Sequence, residues 1–137
     1  MSYLGILEKT VMRLLIVDDS EIVRERLKIM LSEVPNVETI SLAKDKQEAR
    51  DLMSKLNPGV VIVDIQMPGG SGINLLHEIK KEQKPPLLIV LTNQSSPQYR
   101  RKCMESGADF FFDKSTEFDK VTEVLKKTDI KKTINSP

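Results

Sequence analysis

The sequence predicts an α/β domain: a five-stranded parallel sheet with helices on both faces. Short apolar runs alternate along it with longer stretches whose apolar residues recur at helical spacing. Alternation of that kind calls for parallel strands joined by right-handed crossovers. Met12–Val17, Val60–Val63 and Leu87–Thr92 are almost entirely apolar, as strands covered on both faces must be. The first two of these runs lead straight into aspartates, where a buried strand has to break out to the surface.

Each element has its own signal. Met12–Val17 is the first strand, Asp18 and Asp19 follow it, and Ser20 can cap the next helix. Ile22, Val23, Arg26, Leu27, Met30 and Leu31 line one side of that helix, and Pro35–Asn36 stops it. Val37–Leu42 is a more polar strand, expected near a sheet edge. Asp45–Leu56 reads as a charged helix with Ala49, Leu52, Met53 and Leu56 inward, closed by Asn57, Pro58 and Gly59. The strand Val60–Asp64 runs into a loop rich in Pro and Gly that reaches Gly72. A helix over Ile73–Lys81 turns Ile73, Leu76 and Ile79 inward until Pro85–Pro86 breaks it.

Leu87–Thr92 is the next buried strand. Ser96 followed by Pro97 starts a helix that ends near Ser106, with Gly107 as its cap. Asp109–Phe112 is a short last strand leading to Asp113 and Lys114. Ser115 or Thr116 is expected to cap a final helix with Phe118, Val121, Val124 and Leu125 inward. The polar chain after Thr128 is expected to fray. Placing the most apolar strands centrally favours the flavodoxin-like order 2-1-3-4-5, with a switch point between strands one and three. The expected organisation is an extension over 1–11, one domain over 12–129 and a tail over 130–137.

Composition narrows the function classes. The 137 residues suffice for one domain with a real core, and 39% hydrophobic with 30% charged residues is ordinary for a soluble one. A net charge of +1 gives no general pull toward nucleic acid or an anionic membrane. One cysteine, Cys103, excludes an intramolecular disulfide and suits a cytoplasmic setting. Clean apolar runs such as Leu87–Leu91 are too short to span a bilayer, and the N-terminus lacks the pattern of a signal peptide. Met12 is itself a candidate natural start.

With that strand order, Asp18, Asp19, Asp64, Thr92 and Lys114 meet at one sheet edge, where open parallel sheets bind ligands. Three close carboxylates repel unless a cation joins them, and an all-oxygen donor set with room for water suits Mg²⁺. Lys114 and the Thr92 hydroxyl supply a cation and a donor opposite. The result is a socket for a phosphoryl group, with an aspartate as its acceptor. Each residue alone has a plainer reading: helix cap, turn aspartate, strand threonine, surface lysine. Together those readings need four coincidences at one edge. Phe110, Phe111 and Phe112 read mainly as core, with Phe111 the partly exposed candidate. His77 reads as a surface residue, and Cys103 and Met104 as packing.

These residues resemble the receiver domain of two-component response regulators, including the stand-alone chemotaxis type. The likeness runs from Met12 to about Thr128 through LLIVDDS, VVIVDIQMPGGSG, IVLTN and GADFFFDKS, which are specific only in combination. It implies that Asp64 is the phosphoacceptor and that Asp18, Asp19, Asp64 and the backbone carbonyl of Gln66 hold Mg²⁺. It implies that Thr92 and Lys114 contact the phosphoryl group, and that Thr92 and Phe111 form the switch that reshapes the surface of the fourth helix, fifth strand and fifth helix. Gln66 and Gln94 flank the route of attacking water and are expected to tune the lifetime of the phosphorylated state. The implied partners are a sensor histidine kinase or phosphotransfer protein and an output protein, with a homodimer through the fourth helix, fifth strand and fifth helix as one assembly. Neither direct nucleic-acid binding nor a membrane role is expected, and activity is expected to be limited to self-phosphorylation and hydrolysis rather than enzymatic turnover.

Three positions depart from the family pattern. Ser115 stands where proline is usual, often with a cis bond. A non-proline cis bond costs about 2.5–4 kcal/mol, so a trans bond is favoured. Phe111 lacks a tyrosine hydroxyl, so a switch there rests on packing. Gly69, Gly70 and Gly72, with Ser71, make the loop after Asp64 permissive. The competing class is a degenerate receiver acting as an interaction module without phosphate. A haloacid-dehalogenase phosphatase would want its aspartates two apart, not adjacent as Asp18 and Asp19 are. A flavin carrier would need a Ser/Thr/Gly-rich phosphate loop where this chain has the acidic DDSEIV.

Overall fold

The structure, a computed structural model, describes residues 11–68 and 70–135, with backbone alone at 70, 71 and 129–135. All but the last residue of the expected N-terminal extension, Gly69 and the last two residues of the tail lie outside that range. Five strands form the sheet: β1 (Met12–Val17), β2 (Val37–Ala43), β3 (Val60–Val63), β4 (Leu87–Thr92) and β5 (Phe110–Asp113). Five helices connect and cover them: α1 (Glu21–Ser32), α2 (Lys46–Leu56), α3 (Ile73–Lys80), α4 (Pro97–Glu105) and α5 (Lys120–Asn135). The pairings are all parallel and set the strands in the order β2-β1-β3-β4-β5. A two-stranded antiparallel hairpin, Gln66–Met67 with Gly70–Ser71, stands apart from the sheet. Counting its strands, the sheet reads second, first, third, sixth, seventh in chain order. Nothing in the sequence announced the hairpin, because two-residue strands carry no periodicity.

Alternate residues of the buried strands feed two cores. Leu15, Val17, Val61, Val63, Leu88 and Val90 point to α2, α3 and α4, where Ala49, Leu75, Leu76, Ile79 and Cys103 meet them. Leu14, Ile16, Val60, Ile62, Ile89 and Leu91 point to α1 and α5, onto Leu27, Leu31, Val121 and Leu125. At roughly 1.5–3 kcal/mol for each fully buried large aliphatic side chain, these two layers dominate the stability.

The helix ends follow their signals. Ser20, Asp45 and Ser96 cap α1, α2 and α4, accepting from the N–H groups of Val23, Glu48 and Tyr99. Asn57, left-handed at φ 50°, closes α2. Gly107, at φ 111°, follows α4, where the Gly107 N–H donates to the Met104 carbonyl and the Ala108 N–H to that of Cys103. That double bond is a Schellman motif, whose residue just past the cap takes a conformation that glycine adopts without strain.

Several expectations need correction. Ile22, placed on the buried stripe of α1, is 73% exposed, because the helix turns Leu27 and Leu31 inward instead. Leu56 and Met104 are also exposed. Phe111 is buried, at 2% exposure, while Phe110 and Phe112 are only partly so. The strand β5 begins one residue later than expected, and its pleat points Phe111 into the core shared with α4. Neither Ser115 nor Thr116 caps α5: their N–H groups donate to Asp113 Oδ1, and the helix starts only at Lys120. The backbone of α5 stays helical through Asn135, past the expected fraying point. No helix among the described residues is long and apolar enough to cross a membrane.

Cys103 is fully buried, and burial pushes its thiol up to about 11. The native protein should therefore resist thiol reagents at neutral pH and label fully in urea. Rapid labelling of native protein would show that α4 opens readily.

Candidate functional site

The ends of β1, β3, β4 and β5 gather the predicted residues at one edge. Asp18 and Asp64 leave adjacent parallel strands, and both are nearly inaccessible to solvent. Each carboxylate is held in the same way. Asp18 Oδ1 accepts the Ser20 N–H at 2.8 Å, and Asp64 Oδ1 accepts the Gln66 N–H at 2.9 Å. The other oxygen of each acid receives Lys114: its Nζ donates to Asp18 Oδ2 at 2.7 Å and to Asp64 Oδ2 at 2.6 Å. Distances this short mark charge-assisted bonds. Asp19, beside them, is exposed, and carboxylate oxygens of Asp18, Asp19 and Asp64 lie within 4.8 Å of one another.

Thr92 is buried at the end of β4, and its Oγ1 accepts the Gln94 N–H at 3.2 Å. Its carbonyl accepts the Lys114 N–H at 2.9 Å, so the lysine's backbone is tied to the threonine's strand. Gln66 opens the small hairpin and lies exposed beside Asp64. Gly72 lets that hairpin fold back, since a Cβ there would stand 2.7 Å from the Ile65 Cα. Phe111 lies away from the acids with the Arg100 guanidinium 4.9 Å from its ring centroid, a cation–π distance. Arg100 also reaches Glu117 at 3.8 Å. His77 is exposed on α3, away from this cluster.

Burial raises the carboxyl of Asp18 above its ordinary value, although bonds from Lys114 and the Ser20 N–H work the other way. Burial also opposes the charge on Lys114, but the Asp18 and Asp64 carboxylates together outweigh it and hold the ammonium above its usual range. The edge thus has three acids against one embedded cation, a surplus of negative charge facing solvent through Asp19. All-oxygen donors with one exposed carboxylate fit Mg²⁺, which keeps several waters when bound. Asp18, Asp19 and Asp64 are the side chains that would hold it.

Sequence reasoning missed Arg24, whose Nη1 donates to the Asp18 carbonyl at 2.6 Å. The signal was there: a cation in the first turn of a helix opposes the macrodipole and needs a partner. It also missed the contact between Ser115 and Asn93, since neither residue type stands out in a loop.

A doubly wound parallel sheet with three acids, a threonine and a lysine on its switch-point edge defines a two-component signalling receiver. The chain belongs to the response regulator receiver domain family, whose profile matches residues 14–126. It is 37% identical over 117 residues to a protein-glutamate methylesterase/protein-glutamine glutaminase of Sulfurimonas denitrificans, covering 83% of this chain and 33% of that one. The corresponding enzyme 1 of Caulobacter vibrioides is 36% identical over 97 residues, covering 70% and 28%. The chain thus spans about a third of the length of these relatives. In structure it is similar to the response regulator domain of Thermotoga maritima CheB, with a TM-score of 0.75, 29% identity, and coverage of 93% of this chain and 100% of that one.

Proposed function

We propose that the chain is a phosphoacceptor module of a cytoplasmic two-component relay, and that Asp64 takes the phosphoryl group from a histidine kinase or phosphotransfer protein. The observation that carries this is Lys114 Nζ, bridging Asp18 and Asp64 inside a surplus of carboxylate charge. A freed Asp64 oxygen attacks phosphorus, a P–O bond forms, and the bond from phosphorus to the donor's leaving group breaks. Lys114 then moves from carboxylate to the new phosphoryl oxygens, and the Thr92 hydroxyl donates to them. Asp18, Asp19, Asp64 and the Gln66 carbonyl would hold Mg²⁺, which when bound would neutralise the transferring charge. The chain's own residues provide the orientation: the Ser20 and Gln66 N–H groups hold one oxygen of each buried acid and leave the other facing Lys114.

Output follows from Thr92 and Phe111. Movement of Thr92 toward a phosphoryl group pulls on Lys114 and β5 through the bond between their backbones, and the α4-β5-α5 surface responds. Here Phe111 is buried under Arg100, so the switch acts on a ring that is packed inward. That surface is where an output protein, or a second copy of the chain, would dock.

Intact-mass measurement after incubation with Mg²⁺ and acetyl phosphate tests the reading. One added phosphoryl group is expected, absent with chelator and absent in Asp64→Asn. No gain in folded protein would overturn it and favour a phosphate-independent interaction module. Gln66 and Gln94 follow Asp64 and Thr92 by two residues and flank the approach of water. Alanine at both positions should change the phosphorylated lifetime severalfold, as measured by release of inorganic phosphate, and an unchanged rate would remove them from the mechanism.

A further inference from the structure

Lys114 sits at the start of a loop that lacks the usual stiffening. The next residue, Ser115, has an ordinary rotatable backbone, and every peptide bond among the described residues is trans. A cross-loop side-chain bond compensates. Ser115 Oγ donates to Asn93 Oδ1 at 3.1 Å, joining the loop after β5 to the loop after β4. Asp113, on the other side of Lys114, has its carboxyl held below the ordinary range, chiefly by the Ser95 hydroxyl and also by the Ser115 and Thr116 N–H groups. The Asp113 carboxylate accepts those two N–H groups at 2.7 and 3.0 Å, while the Asp113 N–H donates to Glu117 Oε1 at 3.0 Å. The residue after Lys114 is therefore tied through its side chain to the loop that follows Thr92, and the residue before it, Asp113, holds that residue's backbone.

We propose that Asn93 and Ser115, with Asp113, form a cross-loop clamp that positions Lys114 over Asp18 and Asp64. They are positioning residues: none of them reaches the reacting carboxylate, and each acts through Lys114. The proposal rests on the phosphoacceptor reading for its effect on rate, though not for its effect on the lysine itself. The clamp also couples the two movements that phosphorylation requires. Asn93 directly follows Thr92 and Ser115 directly follows Lys114, so a shift of the threonine carries the lysine's loop with it.

The test removes the bond from either side. Ser115→Ala and Asn93→Ala should each slow Mg²⁺-dependent uptake from acetyl phosphate about three- to tenfold, the range that loss of one neutral hydrogen bond spans. The double variant should be no slower than the slower single one, and Ser115→Thr, which keeps the hydroxyl, should restore the rate. A second readout needs no phosphoryl chemistry: the Lys114 ammonium, held by two carboxylates, should give a resolved ¹H–¹⁵N correlation at low temperature that shifts or broadens in Ser115→Ala. Should Ser115→Ala fail to fold, Asn93→Ala reads the same bond. Wild-type uptake in both single variants, additive losses in the double variant, or an unmoved Lys114 correlation would each overturn the clamp. If the wild-type chain takes up no phosphoryl group, the phosphoacceptor reading fails by itself. The Lys114 correlation then decides the clamp, a shift supporting it and an unmoved signal overturning it.

Discussion

Lys114→Met should destabilise the protein without Mg²⁺ by about 3–5 kcal/mol, the cost of leaving a buried ion pair with one partner. Lys114 is 11% exposed and its partners Asp18 and Asp64 are 3% and 4% exposed, so water cannot take over the lost interactions. Adding Mg²⁺ should return much of the loss, because an ion bound only by the folded state stabilises it. The uptake rate should stay low, by about 10²–10³, since the charge that met the transferring phosphoryl group is gone. Chemical denaturation with and without Mg²⁺, followed by uptake kinetics, separates the two effects. A variant as stable as wild type without Mg²⁺ would mean that the bridge contributes nothing to folding.

The pH dependence has a sign for each partner. The folded pKa of Lys114 lies above its ordinary value, so its stabilisation is complete below the ordinary lysine range and is lost only as pH rises through the raised value. Lys114→Met should therefore erase an alkaline limb of the stability profile. Asp18 is also raised, with burial as the leading cause. For a carboxyl, that means its contribution is favourable at low pH and is lost as pH rises through the folded value. Removing Lys114 removes a bond that lowers this value, so Asp18 should hold its proton to higher pH. Protons then compete with Mg²⁺ across a window reaching upward from the ordinary aspartate range.

How much of this was legible in the sequence depends on which physical signal each feature carries. The five sheet strands and the convergence of Asp18, Asp64, Thr92 and Lys114 follow from apolar runs and parallel crossovers, which are local and strong. The direction in which Phe111 faces was not legible. It depends on the register in which β5 pairs with β4, which sets Phe111 beside Val90, and one residue of register inverts every side chain. The start of α5 was missed for a related reason. Ser115 and Thr116 are good capping types, but Asp113 offers their N–H groups a carboxylate first, and the chain makes a turn before the helix begins. Ile22 was placed by periodicity on a stripe that packing narrowed to Leu27 and Leu31. Cross-loop contacts such as Ser115 to Asn93 leave no periodic trace at all.

Asp64→Asn should abolish phosphoryl uptake while leaving the fold intact, and the charge balance at the edge explains why both hold. The amide keeps the shape of the carboxylate, so the Gln66 N–H still finds an oxygen acceptor. Its NH2 then replaces the oxygen that accepted from Lys114 and cannot accept, so Lys114 turns to Asp18, at 2.7 Å, as its anionic partner. What Lys114 loses in attraction, the three-acid cluster regains in part through weaker mutual repulsion. Stability should stay within about 1.5 kcal/mol of wild type, the size of one net hydrogen bond. The amide, however, cannot serve as the nucleophile, since its nitrogen lone pair is delocalised and its oxygen bears no formal charge. Mg²⁺ binding should weaken as well, with one carboxylate fewer in the donor set. Uptake that persisted in the folded variant would have to fall on another residue, with Asp18, Asp19 and His77 the first to map by peptide mass. It would move the acceptor away from Asp64 even though the family assignment stood.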